Sequence, residues 1–407
     1  MESTKHSSIF SLAVIVAALG YFVDIYDLLL FSIIRVPSLR SLGLNDQQIA
    51  RDGLFIINIQ MLGLLIGGIF WGILGDKKGR LKVLYASIIL YSLGNIANGF
   101  VQTVNQYAAI RFITGLGLAG ELGAGITLVS ELLPKNKRGI GTSLVAGIGL
   151  TGAVFAFFLK ENFEWRTCYF IGGGLGFLLL LLRVGVLESG MFKQIEHANV
   201  SKGNFFMFFQ NGQRLKKYLV SIFIGLPTWY VIGILVTFSK EFGERMNIQG
   251  DVDPGKAIMF AYAAISIGDI AIGFVSQWFK SRKKSLYLFY AITAIAIVWF
   301  FNLQGQPVSS LYAACALLGF GTGFWAIFVT IAAEQFGTNI RATAATTVPN
   351  MVRGALVLIS LLFTSLQPSA GYVKSGWITG IVTMVIGITA VLLTQETFHK
   401  DLNYVEE

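Results

Sequence analysis

Charge is scarce in this sequence. Asp, Glu, Lys and Arg make up 13% of its 407 residues, whereas soluble domains carry about 25%. Hydrophobic residues reach 54%, and the mean hydropathy is +0.67. This composition excludes an ordinary soluble domain and predicts a polytopic membrane protein. The net charge of +9 does not indicate a nucleic-acid partner, because the basic residues lie between apolar runs and form no single patch.

Cysteine and histidine are also scarce. Cys168 and Cys315 each fall in an apolar segment, and no CxxC motif occurs. The three histidines, His6, His197 and His399, lie outside the apolar runs. Neither residue type is therefore spaced as in a metal site. A phosphate loop and a nucleophile elbow are missing too, so we predict no metal, no cofactor and no enzymatic activity.

Long apolar runs are what the sequence has in abundance. Twelve of them are long enough to cross a bilayer, which takes about 20 residues. They lie near residues 9–36, 54–75, 82–102, 105–133, 140–160, 166–188, 217–240, 256–279, 285–303, 308–334, 342–366 and 372–395. The first run is too long for a cleavable signal, and it carries acids. The pattern predicts an all-α membrane protein with 12 transmembrane helices.

Lys and Arg concentrate in one set of alternating loops. The loop after the second run holds Lys77, Lys78 and Arg80, and the loop after the eighth run is the basic stretch 280–284. Basic loops face the cytoplasm in membrane proteins. We therefore predict that both termini are cytoplasmic and that the protein lies in the cell membrane, which is the inner membrane if the source is bacterial.

The apolar pattern is interrupted at mid-chain. We predict an N-terminal six-helix bundle at residues 1–188, a cytoplasmic linker at 189–216 and a C-terminal six-helix bundle at 217–407. The linker contains the sequence FFMFF at residues 205–209, which is also compatible with a short interfacial helix. A polar linker is the simpler interpretation of the segment.

Two stretches half a chain apart share one layout. Residues 111–138 and 319–341 each contain a long, glycine-rich apolar helix, followed by an acid and an arginine seven positions further on. Gly120 in the first stretch and Gly323 in the second are separated by the same number of residues as the two acids and the two arginines. The paired acids and arginines are Glu131 with Arg138 and Glu334 with Arg341. The repetition predicts a duplicated membrane bundle, as transporters have.

The loop between the second and third runs carries a specific motif, GILGDKKGRLK. It resembles the signature loop of the major facilitator superfamily, which has a glycine, three residues, an aspartate, two residues, Gly-Arg and a further basic residue. Those positions are filled here by Gly72, Asp76, Gly79, Arg80 and Lys82. A tight turn at the second glycine would aim the acid and the basic groups at the facing half. We predict a breakable cytoplasmic gate there.

Further motifs narrow the resemblance. Arg111 begins RFITGLG, which is similar to the helix-4 motif of the superfamily. The acid–arginine pairs resemble those of the sugar-porter and metabolite:proton-symporter branches. Asp24-Ile-Tyr-Asp27 looks like the latter branch, although glutamate is usual at position 24 and an aromatic residue at Leu28. The resemblance implies the major facilitator fold, with two pseudo-symmetric six-helix bundles around a central site. The predicted gate residues are Gly72, Asp76, Gly79, Arg80, Glu131, Arg138, Glu334 and Arg341.

Asp24 and Asp27 lie three residues apart in the first run and therefore share a helix face. Two carboxylates that close are costly to charge together in a low dielectric. One of the two is therefore predicted to bind a proton, and the spacing leaves open which one. The alternative is a structural pair neutralised by an arginine, with Arg111 as its partner.

Deep within the predicted spans, away from their ends, acids outnumber arginines by two. The acids are Asp24, Asp27, Glu121 and Asp269, and the arginines are Arg111 and Arg353. Protons, cations or a charged substrate must balance that excess. We predict proton coupling at these acids, with a structural role as the alternative for Glu121 and Asp269. Arg353 is too deep to reach either surface, so we expect it in the cavity, loosely paired with Asp269 or hydrated. The predicted substrate-binding residues are Arg353, Arg111, Trp229, Tyr230 and Asn350.

These features favour a secondary transporter that takes up a small organic anion or zwitterion with protons, by alternating access. The expected partners are a small-molecule substrate, protons and the lipid bilayer, with no nucleic acid, and the protein is expected to be a monomer. One alternative is a proton-driven exporter of drugs or metabolites. Another is a non-transporting membrane receptor or scaffold, which would not need the charges inside the membrane.

Overall fold

The computed structural model describes residues 12–133, 135–182, 204–400 and 404–406. In that part of the chain the only β contact is an isolated bridge between Gln249 and Pro307. Its α-helices are α1 (Leu12–Ser41), α2 (Asp46–Lys78), α3 (Arg80–Asn98), α4 (Val104–Leu118), α5 (Glu121–Leu132), α6 (Lys135–Leu150), α7 (Gly152–Asn162), α8 (Trp165–Leu182), α9 (Met207–Gln210), α10 (Gly212–Tyr230), α11 (Ser239–Arg245), α12 (Pro254–Phe279), α13 (Arg282–Phe301), α14 (Val308–Gly321), α15 (Trp325–Glu334), α16 (Arg341–Gly354), α17 (Leu356–Ala370) and α18 (Tyr372–Leu393).

The helices have the lengths that a bilayer requires. Among the described residues, ten helical segments are long and apolar enough to cross a membrane. Helix α3 and the pair α4–α5 occupy the other two runs that hydropathy predicts. Large apolar side chains such as Phe70, Leu181 and Trp278 lie exposed on the outside of the molecule. Long helices with apolar exteriors are expected in lipid, because a helix satisfies all of its backbone groups within one segment.

Helices α1–α8 make up the predicted N-terminal bundle, and α10–α18 make up the predicted C-terminal bundle. Residues 183–203, which make up much of the predicted linker, lie outside the described residues. The remainder of the predicted linker holds the short helix α9 and the first residues of α10, which begins at Gly212. The sequence FFMFF therefore contributes to a four-residue helix, in which Met207 and Phe208 are buried.

Four predicted helices are broken, in two pairs. The runs at 140–160 and 342–366 divide at Thr151 and at Ala355, and the other two runs divide at equivalent positions. The run at 105–133, predicted to be continuous, is divided into α4 and α5 at Ala119 and Gly120. The run at 308–334 is divided into α14 and α15 at residues 322–324. Glycine lowers helix propensity by about 1 kcal/mol, and both breaks occur in glycine-rich sequence. Each break leaves backbone groups that a side chain from another helix can bind.

A further irregularity follows Pro227 in α10. Proline removes a backbone donor and opens the helix behind it. The chain continues from α10 into a π-helical segment, Val231–Val236, in which every residue is buried. Such segments often occur at functional sites. Here it begins two residues after Trp229, whose side chain faces the centre of the molecule.

Candidate functional site between the bundles

The two bundles meet around a small central cavity. Its volume is about 20 Å³, which is space for about one water. Both bundles contribute to its wall, and most of the wall is apolar or aromatic. The lining residues are Tyr21, Ile25, Leu28, Leu150, Thr228, Trp229, Tyr262, Ile265, Trp325 and Arg353. The cavity thus presents one permanent charge, a guanidinium, among aromatic rings.

Arg353 lies at this cavity and is almost completely buried. Its Nη1 donates to Oδ1 of Asn350 at 3.2 Å, and its guanidinium carbon lies 5.7 Å from the centroid of the Trp325 ring. Its Nη2 is 3.8 Å from Oδ2 of Asp24, which is too long for a hydrogen bond. The guanidinium is therefore oriented by an amide and an indole, and only loosely paired with a carboxylate.

Asn350 orients Arg353 because its own amide is held in place. Its Nδ2 donates to the carbonyl oxygens of Ala119 and Thr346, each at 2.8 Å. The Ala119 carbonyl is one of the groups freed by the break between α4 and α5. The helix break in one bundle thereby fixes the position of an arginine that belongs to the other bundle.

Asp269 is not the partner of Arg353 that the sequence analysis expected. Its Oδ1 accepts a hydrogen bond of 3.0 Å from the backbone N–H of Ala326, in the first turn of α15. The first N–H groups of a helix have no partner inside the helix, and a carboxylate there is favoured by the helix dipole. Asp269 thus caps α15 at its N-terminus. Because α15 begins with Trp325, the cap also positions this side chain in the wall of the cavity. This contact favours the structural alternative for Asp269.

Asp24 and Asp27 have different surroundings despite their spacing. Asp24 lies towards Arg353 in the opposite bundle, whereas Asp27 lies inside the N-terminal bundle, where a Cβ added to Gly172 would be 2.5 Å from its Oδ1. Both carboxyl groups are fully buried, and their oxygens accept no hydrogen bond from the described residues. Glu121 is also buried, at the first position of α5.

In the structural alternative, Arg111 was expected to form an ion pair with Asp24 or Asp27. The described structure shows no such pair. The Nη2 of Arg111 donates to the backbone carbonyl of Asp27 at 2.9 Å, and its Nε donates to Gln60 at 3.2 Å. Gln60 in turn donates to the carbonyl of Leu28. Arg111 and Asp27 do not line the cavity in this conformation, so the arginine braces α1 against α4 and leaves its neighbour's carboxyl group without a donor.

Some of the aromatic residues near the cavity line its wall and others point away from it, and the sequence does not fully distinguish the two groups. Trp229 lines the cavity as predicted. The neighbouring Tyr230 points elsewhere, because its hydroxyl donates to the Gly376 carbonyl in α18 at 2.8 Å. The prediction that Tyr230 contacts the substrate is therefore not supported. Tyr21, Tyr262 and Trp325 line the cavity instead. Tyr21 lies three residues before Asp24 and shares its helix face, which could have identified it, whereas Tyr262 and Trp325 belong to no motif of the sequence analysis.

The bundles touch closely on the side that the basic loops predict as cytoplasmic. Asp76 is fully buried and accepts hydrogen bonds from the N–H groups of Ala342 and Thr343, at 3.1 and 2.7 Å, and from the Thr343 hydroxyl at 2.6 Å. These donors lie in the first turn of α16, where a carboxylate is most favourable. The acid of the signature loop thus binds the end of a helix in the other bundle.

Glycines allow this close approach. A Cβ on Gly72 would lie 3.1 Å from the Thr343 Cα, and one on Gly123 would lie 2.3 Å from the Thr346 Cα. Gly79 ends α2 with φ at 99°, a conformation that L side chains rarely adopt. Within the motif, Gly72 therefore permits close contact between the bundles, and Gly79 permits the turn after α2. These two roles give the predicted gate a physical basis.

The remaining gate residues are only partly described. Arg341 is fully buried as the first residue of α16. Glu334 is buried and pairs with Arg282, Oε1 to Nη2, at 3.2 Å. The side chains of Arg80, Glu131 and Arg138 lie outside the described part of the structure, so their predicted roles remain predictions.

The chain after α18 also packs against this side. The Thr397 hydroxyl donates to Oε2 of Glu334 at 2.7 Å. Burial raises the pKa of the neighbouring Glu396, but hydrogen bonds from the Ser281 hydroxyl and from backbone N–H groups outweigh it and lower the pKa below its ordinary value. A charged Glu396 therefore fastens this segment to the start of α13.

The opposite side of the cavity is closed by an ion pair that the sequence analysis missed. Arg35 of α1 is fully buried, and its Nη2 lies 2.9 Å from Oε1 of Glu241 in α11. Its guanidinium carbon lies 4.5 Å from the Phe238 ring centroid. Lys160 pairs with Asp253 nearby at 2.6 Å. Contacts between the bundles are therefore present on both sides of the cavity in this conformation.

We expect Asp76→Asn to open the predicted cytoplasmic side. An asparagine keeps one acceptor oxygen but loses the charge, and each hydrogen bond to a charged group contributes about 1.5–3 kcal/mol. Labelling of a cysteine introduced at Thr346, with Cys168 and Cys315 replaced, should become about tenfold faster.

Asp46→Asn is the matched control for this prediction. Asp46 is exposed near the opposite side, where it pairs with Arg40, so its substitution should leave the labelling of Thr346→Cys unchanged. Equal labelling rates in the parent and in Asp76→Asn would show that the carboxylate does not hold this side closed.

Comparison with known proteins identifies the family of this chain. The family model described as Major Facilitator Superfamily matches residues 10–359. The niacin transporter NiaP of Acinetobacter baylyi is 26% identical, over 96% of this chain and 95% of its own length. The gentisate transporter of Corynebacterium glutamicum is 24% identical, over 92% and 86% of the two chains, and the sialic acid transporter NanX of Escherichia coli is 25% identical, over 93% and 91%.

A solved structure shares the fold. The proton:xylose symporter XylE superposes with a TM-score of 0.77 over 97% of each chain, at 16% sequence identity. The expected all-α major facilitator fold is thereby confirmed. The match to a family of transporters confirms the expectation that the protein is not an enzyme. This chain belongs to the major facilitator superfamily and is a multi-pass secondary transporter of small molecules.

Proposed function

We propose that this transporter takes up a small organic anion, with a planar carboxylate as the preferred class, together with protons. The observation that carries the proposal is the state of Arg353. It is buried in the cavity between the bundles, held by Asn350, and its Nη2 is 3.8 Å from Oδ2 of Asp24. A guanidinium offers a planar fork that binds a carboxylate through two hydrogen bonds.

The aromatic residues in the cavity wall support a planar carboxylate as the substrate. Trp229 and Trp325 line the cavity with Tyr21 and Tyr262, and aromatic faces stack favourably on flat, conjugated ligands. Relatives named for their substrates include transporters of niacin, gentisate and cis,cis-muconate. Each of those substrates combines a carboxylate with a planar ring or chain. A flat anion would place its carboxylate on Arg353 and its face against an indole.

Alternating access then follows from the contacts that close the two sides. Opening the outer side requires Arg35 to leave Glu241, and opening the cytoplasmic side requires Asp76 to leave the N-terminus of α16. Since each contact joins the two bundles, rocking one bundle against the other breaks one contact while the other holds. In this mechanism the protein works as a monomer, with both termini in the cytoplasm.

Protons would supply the driving force. The buried carboxyl groups of Asp24 and Asp27 accept no hydrogen bond from the described residues, and a buried charge without a donor is costly. Binding a proton removes that cost. We propose Asp27 as the proton carrier, because Asp24 is placed to compete with the substrate's carboxylate for Arg353.

Uptake into proteoliposomes tests the proposal. Labelled niacin, gentisate and cis,cis-muconate should accumulate when the outside is acidic, and a protonophore should abolish the accumulation. Xylose serves as the neutral control and should not be taken up. Accumulation of none of the carboxylates would refute the proposed substrate class. Accumulation that is insensitive to both the pH gradient and the protonophore would refute proton coupling.

A further inference from the structure

We propose that the hydroxyl groups of Ser38, Tyr107 and Tyr169 form a proton path to Asp27 inside the N-terminal bundle. The path runs from the predicted outer side and is separate from the substrate cavity. This inference rests on the proposed proton coupling and adds the route by which the proton arrives.

The inner end of the path lies at Asp27. The Tyr169 ring centroid is 5.7 Å from the guanidinium carbon of Arg111, which donates to the Asp27 carbonyl. The Tyr169 phenol is within electrostatic range of both residues. The titratable or charged groups that act on Asp27 or lie beside it are Arg111 of α4, Asp24 and Tyr26 of α1, and Tyr169 of α8. Cys168 of α8 lies beside Tyr26 and Tyr169.

The middle of the path is a pair of tyrosine hydroxyls. The oxygens of Tyr107 and Tyr169 are 2.8 Å apart, and either can be the donor. The Tyr107 hydroxyl also donates to Ser38 Oγ at 3.5 Å, a weak hydrogen bond, and Ser38 donates to the Arg35 carbonyl at 3.2 Å. All three hydroxyls are fully buried. A hydroxyl can accept and donate at once, which allows a proton to pass along such a chain.

The outer end lies within one helical turn of an open pocket. Ser41, three residues after Ser38, donates to the Ser38 carbonyl at 2.7 Å and accepts a hydrogen bond from the Trp165 indole at 3.0 Å. Ser41 and Trp165 line a pocket of about 470 Å³ on the outer side, with Lys160, Glu164 and Arg166 also in its wall. Solvent in that pocket would come close to the first hydroxyl of the chain.

The transfer balances without any added reagent. In the described structure Tyr107 donates to Ser38 and Ser38 donates to the Arg35 carbonyl, so the hydroxyls first rotate to point inward. Ser38 then receives a proton from a hydronium ion that enters from the pocket, which leaves a water, and passes its own proton to Tyr107, which passes one to Tyr169. At each oxygen one O–H bond forms and one breaks, and the hydroxyls then rotate back. The last transfer, from Tyr169 to the carboxylate of Asp27, requires one bridging water or a rotation of the carboxyl group, since the two are not hydrogen-bonded.

The packing itself does not require these hydroxyls. Phenylalanine at positions 107 and 169 would keep the ring contacts, including the edge-to-face contact between the two rings at 6.0 Å. Only the proton-conducting oxygen atoms would be lost. A Tyr→Phe substitution therefore separates a proton path from a structural role.

The test compares two rates for Tyr107→Phe and Tyr169→Phe in proteoliposomes. One is proton-driven uptake, and the other is counterflow exchange without a pH gradient, each with the carboxylate that the parent accumulates best. We expect proton-driven uptake to fall at least about tenfold, with the KM and the counterflow rate unchanged.

Tyr290→Phe is the matched control. Tyr290 is also buried, in α13, but its hydroxyl donates to the Ile224 carbonyl of α10 at 2.5 Å and lies outside the chain of hydroxyls. Its ratio of uptake to counterflow should equal that of the parent. An unchanged ratio in Tyr107→Phe and Tyr169→Phe would overturn the path and leave the proposed function intact. A parent that shows counterflow without proton-driven uptake would overturn both proposals.

Discussion

Arg353→Lys should weaken substrate binding by about 10- to 100-fold while the protein remains folded. Lysine keeps the positive charge but loses the planar fork and the hydrogen bond to Asn350. A hydrogen bond between charged groups contributes about 1.5–3 kcal/mol, and each 1.4 kcal/mol is about tenfold in affinity. Binding would be measured by the shift in thermal unfolding that each carboxylate produces in the purified protein.

Arg214→Lys is the control for this substitution. Arg214 is a largely buried arginine that pairs with Glu406 at 3.2 Å, away from the cavity-lining residues. The Arg214→Lys variant should bind substrate with the same affinity as the parent protein. Arg353→Ala should bind more weakly than Arg353→Lys, because it removes the positive charge as well as the planar fork. Equal affinity in the parent and in Arg353→Lys would rule out the anion site.

Asp27→Asn should abolish proton-driven accumulation and preserve counterflow exchange. The substitution keeps the size of the side chain but removes the group that would carry the proton. Exchange needs only the movement of the bundles and the binding of substrate at Arg353, neither of which uses the Asp27 carboxyl group in the described structure. Accumulation ratios and counterflow rates in the same proteoliposomes measure the two properties separately.

Asp24→Asn should behave differently. Its carboxylate is the one that lies 3.8 Å from Arg353, so its neutralisation should raise the affinity for an anionic substrate by removing a competitor. If Asp27→Asn accumulated substrate as the parent does while Asp24→Asn did not, the roles of the two acids would be reversed. Full accumulation in both variants would eliminate both as proton carriers.

Much of the architecture was predictable from the sequence. The apolar runs predicted the helices because a chain in lipid must satisfy its backbone within each segment. The run at 372–395, for example, corresponds to α18 at Tyr372–Leu393. The signature loop predicted that Asp76 faces the other bundle, and the matching positions of Gly120 and Gly323 mark two helix breaks. The depth of Arg353 within its run predicted that it is buried.

The partners of the buried charges were decided only by the tertiary structure. Asp269 was expected near Arg353 but binds a backbone N–H of α15, and Arg111 binds a carbonyl and an amide. Tyr230 turns away from the cavity that Trp229 lines, although the two are adjacent in sequence. Hydropathy determines how deep a residue lies in the membrane. It does not determine the rotation of a helix about its axis, which depends on the packing of all its neighbours.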